Sequence, residues 1–210
     1  MQLPNPFVPL TGRVDDSRKF FPRSRLVDRV FELLNSGSSV ALIGAAESGK
    51  SSVLREIERS VDRLNPGRQA VYLDLSQVSG DDDFYGFLCD RAGVAVCRGV
   101  ALNRALEGKR WLLLLDEADT IAQDWFTEQV RKQLRGLANG SEMPLRMVVA
   151  AREPLDRAFR DSGKVSPFEN LCTQEEMGIW DGVMIREFVV ERLRGNSVQF
   201  SQGEIDRVMR

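Results

Sequence analysis

Residues 44–51 read Gly44-Ala45-Ala46-Glu47-Ser48-Gly49-Lys50-Ser51 and fit the pattern G-x-x-x-x-G-K-[ST]. The two glycines let the backbone curl, so that consecutive N–H groups point at the oxygens of one phosphate group. The apolar segment 40–43 precedes this loop, and a segment with apolar residues at helical spacing follows it. A helix in that position directs the positive end of its dipole at the same anion. The stretch therefore predicts a phosphate-binding loop between a strand and a helix.

The loop also predicts a role for its side chains. Lys50 is expected to reach the β- and γ-phosphates of a nucleoside triphosphate, and the Ser51 hydroxyl is expected to ligate Mg²⁺. Glu47 adds a negative charge beside the phosphates, which is favourable only if its side chain points outward. The residues predicted to contact the nucleotide are Gly44, Ala45, Ala46, Glu47, Ser48, Gly49, Lys50, Ser51 and Ser52. The alternative is a glycine-rich turn before a helix, without a ligand.

A pair of carboxylates follows the most apolar segment of the chain. Trp111-Leu112-Leu113-Leu114-Leu115 reads as a central strand, and Asp116 and Glu117 follow it directly. A carboxylate at the carboxyl end of such a strand reaches the ligand crevice of an open parallel sheet. Asp116 is therefore predicted to hold Mg²⁺ through water, and Glu117 to orient and deprotonate the attacking water. The alternative is a strand followed by an acidic helix start; Asp119 is expected to face solvent or to cap a helix.

A third apolar segment, residues 147–151, ends in Arg152. If its strand neighbours the one that ends in Asp116, Arg152 delivers a cation to the γ-phosphate, where it senses the triphosphate and stabilises transferring charge. The alternative for Arg152 is an ion pair with Glu153 or Asp156. Arg157 and Arg160 are further candidates for a cation that reaches a neighbouring subunit.

Strands that alternate with helices predict the fold. The central strands are apolar throughout, which is typical of a parallel sheet covered by helices on both faces, a three-layer α/β domain. Residues 1–23 read as an extended N-terminal arm, 24–180 as the core, and 181–210 as the start of a small helical lid. Strands are predicted at 40–43, 70–75, 111–115, 147–151 and near 172–179, and helices at 24–35, from 53 to 64, in two pieces within 81–108, and at 125–138, 154–161, 182–194 and 202–210.

Composition excludes several kinds of chemistry. The chain has no histidine, which rules out serine-type triads, Cys–His dyads and His-ligated zinc sites. A formal net charge of −2 gives no general attraction to nucleic acid. No apolar run approaches the roughly 20 residues of a membrane-spanning helix, and the N-terminus lacks the pattern of a signal peptide. A cytoplasmic protein that does not associate with membranes is therefore expected.

With these motifs in place, the chain resembles the P-loop ATPases of the AAA+ and STAND group, of the ASCE type. More narrowly, it is similar to the prokaryotic STAND-type branch related to the archaeal ATPases and the Orc-like proteins. Asn5-Pro6-Phe7 and Phe20-Phe21-Pro22-Arg23 are similar to the entry segment of that group, although Pro22 and Ser24 replace its usual Gly and Glu. The resemblance implies that the arm 1–23 packs beside the adenine and that Arg152 is the sensor arginine. Family members continue beyond the position of Arg210, so the lid is expected to be incomplete here.

Two functions are expected from this resemblance. The first is an Mg²⁺-dependent ATPase of a signalling or defence protein, in which ATP binding closes the lid and promotes self-association, and hydrolysis resets the switch. The alternative is a DNA-associated AAA+ ATPase of the replication-initiator or transposition-helper type. Both would receive a nucleic-acid or protein trigger through regions outside this chain. A nucleotide-binding scaffold without turnover is a third possibility, which Glu117 argues against. No guanine-reading motif is present in the sequence, so ATP is the expected nucleotide.

Overall fold

A computed structural model describes residues 7, 21–124, 126–139, 145–161, 168, 171–178, 180–194 and 200–208. Five strands are present among them: β1 (Ser39–Ile43), β2 (Arg68–Asp74), β3 (Arg110–Asp116), β4 (Leu145–Ala151) and β5 (Cys172–Glu176). The helices are α1 (Ser24–Asn35), α2 (Lys50–Leu64), α3 (Asp81–Ala92), α4 (Val100–Leu106), α5 (Glu128–Ala138), α6 (Leu155–Asp161), α7 (Gly182–Leu193) and α8 (Gln202–Val208). Two short 3-10 helices cover Leu75–Gln77 and Ala118–Ala122.

The strands form one sheet in the order β2-β3-β4-β1-β5, and every pair of neighbours is parallel. This order confirms the predicted parallel α/β fold. It also places β1, β4 and β3 side by side, so the segments that follow them meet at the carboxyl edge of the sheet.

The sheet is covered on both faces, because successive side chains of a strand point to opposite sides. One face packs against α1 and α2 and contributes Val40, Leu42, Tyr72, Leu112, Leu114, Val148 and Ala150. The other face packs against α3, α4 and α5 and contributes Ala41, Ile43, Val71, Leu73, Leu113, Leu115, Met147 and Val149. The four leucines of β3 are each 0 % exposed. Burial of one such side chain is worth about 1.5–3 kcal/mol, so β3 is a main source of the stability of the core.

The ends of several elements differ from the prediction. Ser24 is the first residue of α1, and the N-cap position belongs to Arg23, which makes no side-chain capping hydrogen bond. Strand β2 ends one residue earlier than predicted, because the Asp74 carboxylate accepts the backbone N–H of Ser76 and starts a 3-10 turn. The 3-10 helix after β3 was not predicted, since it carries no apolar periodicity of its own.

The chain divides into two compact units, Pro22–Met177 and a second unit drawn from Met1–Phe21 and Gly178–Arg210. The second unit contains an aromatic cluster. Phe188 of α7 lies 5.9 Å from Phe7, 5.5 Å from Phe21 and 5.0 Å from Trp180 between ring centroids. Phe200 stacks on Phe7 at 6.0 Å. The predicted boundaries 1–23, 24–180 and 181–210, and the position of the arm beside a base, stay predictions; most of the arm lies outside the described residues.

Every helix within the described residues is too short or too polar to span a lipid bilayer.

Candidate nucleotide-binding site

The loop between β1 and α2 begins at Gly44, whose contacts leave no room for a side chain. The Gly44 N–H donates to the Ala151 carbonyl at 3.1 Å, which ties the end of β1 to the end of β4. A Cβ atom on Gly44 would lie 2.8 Å from the Ser48 Oγ and 2.9 Å from the Met177 Cβ. Gly49 has a φ of 89°, a left-handed conformation that glycine adopts without strain, and it forms the N-cap of α2. The Arg23 guanidinium donates to the Ser48 carbonyl at 2.9 Å.

Lys50 points back into this loop. Its side chain is 6 % exposed, and its Nζ donates to the carbonyl oxygens of Gly44 at 2.7 Å and Ala45 at 2.8 Å. Burial lowers the pKa of Lys50, and the negative charges of Glu117, Asp119 and Asp116 oppose that change. The ammonium group is therefore inside the loop and within the field of the carboxylates that follow β3.

Asp116 ends β3 and is 2 % exposed. Its Oδ2 accepts the Tyr72 hydroxyl at 2.6 Å, and its Oδ1 accepts the Glu117 backbone N–H at 3.1 Å. The Arg55 guanidinium of α2 covers the Tyr72 ring at 3.4 Å from its centroid. These contacts fix the carboxylate at the sheet edge. Tyr72 was not predicted to belong to the site. The sequence shows only that a buried tyrosine hydroxyl needs a partner, and it does not show that Asp116 is that partner.

Glu117 and Arg152 form an ion pair across the ends of β3 and β4, with 3.1 Å between the Glu117 Oε2 and an Arg152 guanidinium nitrogen. The two carboxylates that were alternative partners of Arg152 form other ion pairs: Glu153 pairs with Arg157, and Asp156 pairs with Arg160. Glu117 has a φ of 51°, which is uncommon for a residue with a side chain and is typical of functional sites.

The prediction for Asp119 is corrected. Its side chain is half-buried rather than solvent-facing, and its two carboxylate oxygens accept the Arg152 backbone N–H at 3.2 and 3.0 Å. Asp119 thereby fastens the 3-10 helix after β3 to the end of β4. This contact could not be predicted from the sequence, because it joins residues 33 positions apart through a backbone group.

The structure brings Lys50, Asp116, Glu117 and Arg152 together at one edge of the sheet. Ala45, Ala46 and Glu47 are exposed on the loop, and Glu47 has a φ of 61°. The exposure of Glu47 is in keeping with an outward-pointing side chain. Ser51 is half-buried in the first turn of α2, and Ser52 is 7 % exposed. The roles assigned to these residues stay predictions.

The residues present fit a nucleotide with Mg²⁺. The Ser48 Oγ is buried and has no hydrogen-bond partner among the described residues, so the loop holds a donor that lacks an acceptor. Within the described ranges, no group of three or more His, Cys, Asp or Glu side chains could hold a metal ion. Ser51 and Asp116 are the oxygen-bearing side chains that could hold Mg²⁺, which is usually held by one or two protein groups together with the phosphates of the substrate.

Comparisons with known proteins agree with this geometry. A family model described as an AAA domain matches residues 34–159, which is more than half of the chain. No curated protein matches the chain significantly.

Solved structures share the fold at low sequence identity. The Walker-type ATPase of Pyrococcus abyssi has a TM-score of 0.68 and 15 % identity, over 94 % of this chain and 65 % of that one. The Aeropyrum pernix ORC2 protein, in ADPNP–ADP complexes, has a TM-score of 0.61 and 15 % identity, over 87 % and 57 %. The Aeropyrum pernix ORC1 protein in complex with DNA has a TM-score of 0.58 and 16 % identity, over 84 % and 50 %.

The chain thus spans between 50 and 65 % of the length of these structures. Their likeness concerns the fold, and the STAND part of the resemblance stays a prediction. The matched segment begins before β1 and ends within α6, so it contains the phosphate-binding loop, both carboxylates and Arg152. By that match, the chain belongs to the AAA-domain family of P-loop ATPases.

Proposed function

We propose that this chain binds ATP together with Mg²⁺ and hydrolyses the bond between its β- and γ-phosphates. One observation supports the proposal above the others: a lysine, two carboxylates and an arginine meet where β1, β3 and β4 end, beside the phosphate-binding loop. A binding scaffold has no use for a glutamate in that position, whereas hydrolysis needs a base that orients and deprotonates water.

Each side chain has a distinct part in the proposed reaction. Lys50 exchanges its contacts with the carbonyl oxygens of Gly44 and Ala45 for phosphate oxygens, and Ser48 gains an acceptor for its hydroxyl. Ser51 and Asp116 would hold Mg²⁺, which would supply positive charge to neutralise the phosphates. Glu117 acts as the base once Arg152 turns from it to the γ-phosphate. Their exposed ion pair is worth about 0–1 kcal/mol, so exchanging it for a phosphate contact is feasible.

For the biological setting we place a DNA-associated AAA+ ATPase ahead of a STAND-type signalling switch. The structural neighbours include an ORC1 protein in complex with DNA. The net charge of −2 gives no general support for DNA binding, so any DNA contact would be local or would use regions outside this chain. In both settings ATP binding is expected to promote self-association, and the protein is expected in the cytoplasm.

Hydrolysis assays decide between these settings. ATP and GTP hydrolysis would be measured with and without duplex DNA, while light scattering follows the mass. Lys50→Ala is the test variant, and Lys132→Ala, which alters an exposed lysine of α5, is its matched control. Stimulation by DNA favours the DNA-associated ATPase. An ATP-dependent increase in mass together with slow turnover favours the signalling switch, provided that DNA leaves the rate of turnover unchanged. Equal ATP binding by Lys50→Ala and Lys132→Ala would contradict the proposed site.

A further inference from the structure

The end of β4 extends beyond its ladder with β3. The register of this pair ends at Leu115 and Val149, whereas β1 stays paired with β4 as far as Ala151. Arg152 follows Ala151 directly. Where the ladder with β3 stops, a side chain continues the connection: both Asp119 carboxylate oxygens accept the Arg152 N–H, at 3.2 and 3.0 Å. Asp119 therefore holds the backbone of Arg152 from the β3 side.

The 3-10 helix that carries Asp119 is itself anchored in the core. Ala118 and Ile121 belong to this helix, and each is 0 % exposed. The Thr120 N–H and hydroxyl both donate to the Glu117 carbonyl, at 3.1 and 2.8 Å, which closes the turn directly after the proposed base. Asp119 thus projects from a fixed turn, and its side chain is half-buried. A carboxylate held in this way can restrain the position of its partner.

Arg152 makes two contacts with this turn, through different parts of the residue. Its guanidinium pairs with Glu117 at 3.1 Å, and the Arg152 side chain is 62 % exposed. Its backbone N–H is bound by Asp119. The first contact is lost if the guanidinium turns to a phosphate. The second contact is kept, because rotation about side-chain bonds leaves the backbone N–H in place. Asp119 can therefore hold the Cα of Arg152 while the guanidinium changes partner.

We propose that Asp119 is a positioning residue for hydrolysis: it fixes the point from which the Arg152 guanidinium reaches the γ-phosphate of ATP. This role rests on the proposed function, in which Arg152 turns from Glu117 to that phosphate. A shift of the Arg152 backbone would carry the guanidinium with it, and a misplacement of about 1 Å can cost about a hundredfold in rate. Asp119 acts through Arg152 and touches neither the nucleotide nor the attacking water.

The charge of Asp119 offers a second route to the site, which the test has to separate from the first. Burial lowers the pKa of Lys50, and the negative charge of Asp119 is among those that oppose this change. Removing the carboxylate therefore removes both a hydrogen-bond acceptor and a charge. Asp119→Asn removes the charge alone, because its amide oxygen still accepts the Arg152 N–H.

A double-mutant cycle on ATP turnover tests the positioning role. Asp119→Ala is expected to lower kcat about tenfold or more, with the KM for ATP changed by less than about threefold. The double variant Asp119→Ala/Arg152→Gln should be no slower than Arg152→Gln alone, because Asp119 acts through Arg152. Asp119→Asn should keep kcat within about threefold of the unchanged protein. Asp83→Ala is the matched control: its carboxylate accepts the Ser79 N–H at 3.0 Å in the first turn of α3, and its loss should leave kcat unchanged.

A binding measurement separates a failure of this role from a failure of the proposed function. ADP with aluminium fluoride mimics the transferring phosphoryl group, so Asp119→Ala is expected to weaken its binding about tenfold. ADP alone should bind as before, which also shows that the variant is folded. If the unchanged protein binds ATP without hydrolysing it, the proposed function fails, and this comparison still decides on Asp119. If the unchanged protein does not bind ATP, both are refuted.

Three results would overturn the positioning role while the proposed function stands. The first is an Asp119→Ala protein that turns over ATP as fast as Asp83→Ala. The second is a double variant in which the losses of Asp119→Ala and Arg152→Gln multiply, because the two residues would then act independently. The third is an Asp119→Asn protein as slow as Asp119→Ala, which would assign the effect to the charge near Lys50.

Discussion

At the scale of single residues, the Asp116 carboxylate shows how the site is held before any ligand arrives. Each of its oxygens accepts one hydrogen bond, from the Tyr72 hydroxyl at 2.6 Å and from the Glu117 N–H at 3.1 Å. A buried carboxylate is costly without such donors. If Asp116 holds Mg²⁺ as proposed, Tyr72 would be a positioning residue, because it contacts the carboxylate through this hydrogen bond.

The change Tyr72→Phe tests this role. Loss of a hydrogen bond to a buried charged group is expected to lower the free energy of unfolding by about 1.5–3 kcal/mol, measured by urea denaturation. The Mg²⁺ concentration for half-maximal ATP hydrolysis is expected to rise roughly tenfold, as for other residues that orient a metal ligand. Tyr85→Phe is the matched control: Tyr85 is also buried, and no hydrogen bond of its hydroxyl is present among the described residues. Equal effects of the two changes on the Mg²⁺ requirement would show that the Tyr72 hydroxyl does not position Asp116.

The ion pair between Arg152 and Glu117 leads to a different expectation, because both side chains are partly solvated. Arg152→Gln should change the free energy of unfolding by about 1 kcal/mol or less. If Arg152 stabilises charge on the transferring phosphate, the rate of ATP hydrolysis should fall about a hundredfold in a turnover assay. Arg104→Gln, at an exposed position of α4, should leave the rate unchanged. An Arg152→Gln protein as active as Arg104→Gln would restrict Arg152 to its ion pair.

At the scale of elements, the end of β1 is the most tightly constrained part of the site. Gly44 lies between the Ala151 carbonyl of β4, the Ser48 side chain and Met177, whose N–H donates to the Ile43 carbonyl at 2.6 Å. Three elements thus converge on one residue without a side chain. The Ser48 hydroxyl can rotate away from an added methyl group, but the Met177 Cβ is fixed by the backbone.

Two glycine-to-alanine changes make this constraint measurable. Gly44→Ala should lower the free energy of unfolding by about 1–3 kcal/mol, because a Cβ forced to 2.9 Å from another must displace the backbone. Gly86→Ala, in α3, adds a Cβ that meets nothing within 4 Å and should raise stability by about 0.5–1 kcal/mol through helix propensity. Urea denaturation of both variants measures the difference; effects of the same sign would contradict the packing described for Gly44.

The elements also show which features a sequence makes predictable. β3 is apolar from Trp111 to Leu115 and β4 from Met147 to Ala151, so their existence and their parallel pairing follow from composition. The phosphate-binding loop and the two carboxylates follow from local motifs. Tyr72 on Asp116 and Asp119 on the Arg152 backbone do not, because each contact depends on the order β2-β3-β4 in the finished sheet.

At the scale of the whole molecule, the unit Pro22–Met177 carries the candidate site at one edge of its sheet. This carboxyl edge holds Lys50, Asp116, Glu117 and Arg152. The second unit is held together by aromatic rings from both ends of the chain. In the proposed function, the carboxyl edge is the site of hydrolysis, and a change of nucleotide there would act directly on the ends of β1, β3 and β4.

The most direct test of this claim is ATP hydrolysis by the unchanged protein and by Glu117→Gln, with ATP affinity measured in parallel. Glu117→Gln is expected to bind ATP with little change in affinity. It is expected to hydrolyse ATP at least about a hundredfold more slowly, because the base is missing. Hydrolysis by Glu117→Gln at the rate of the unchanged protein, with the same affinity for ATP, would contradict it.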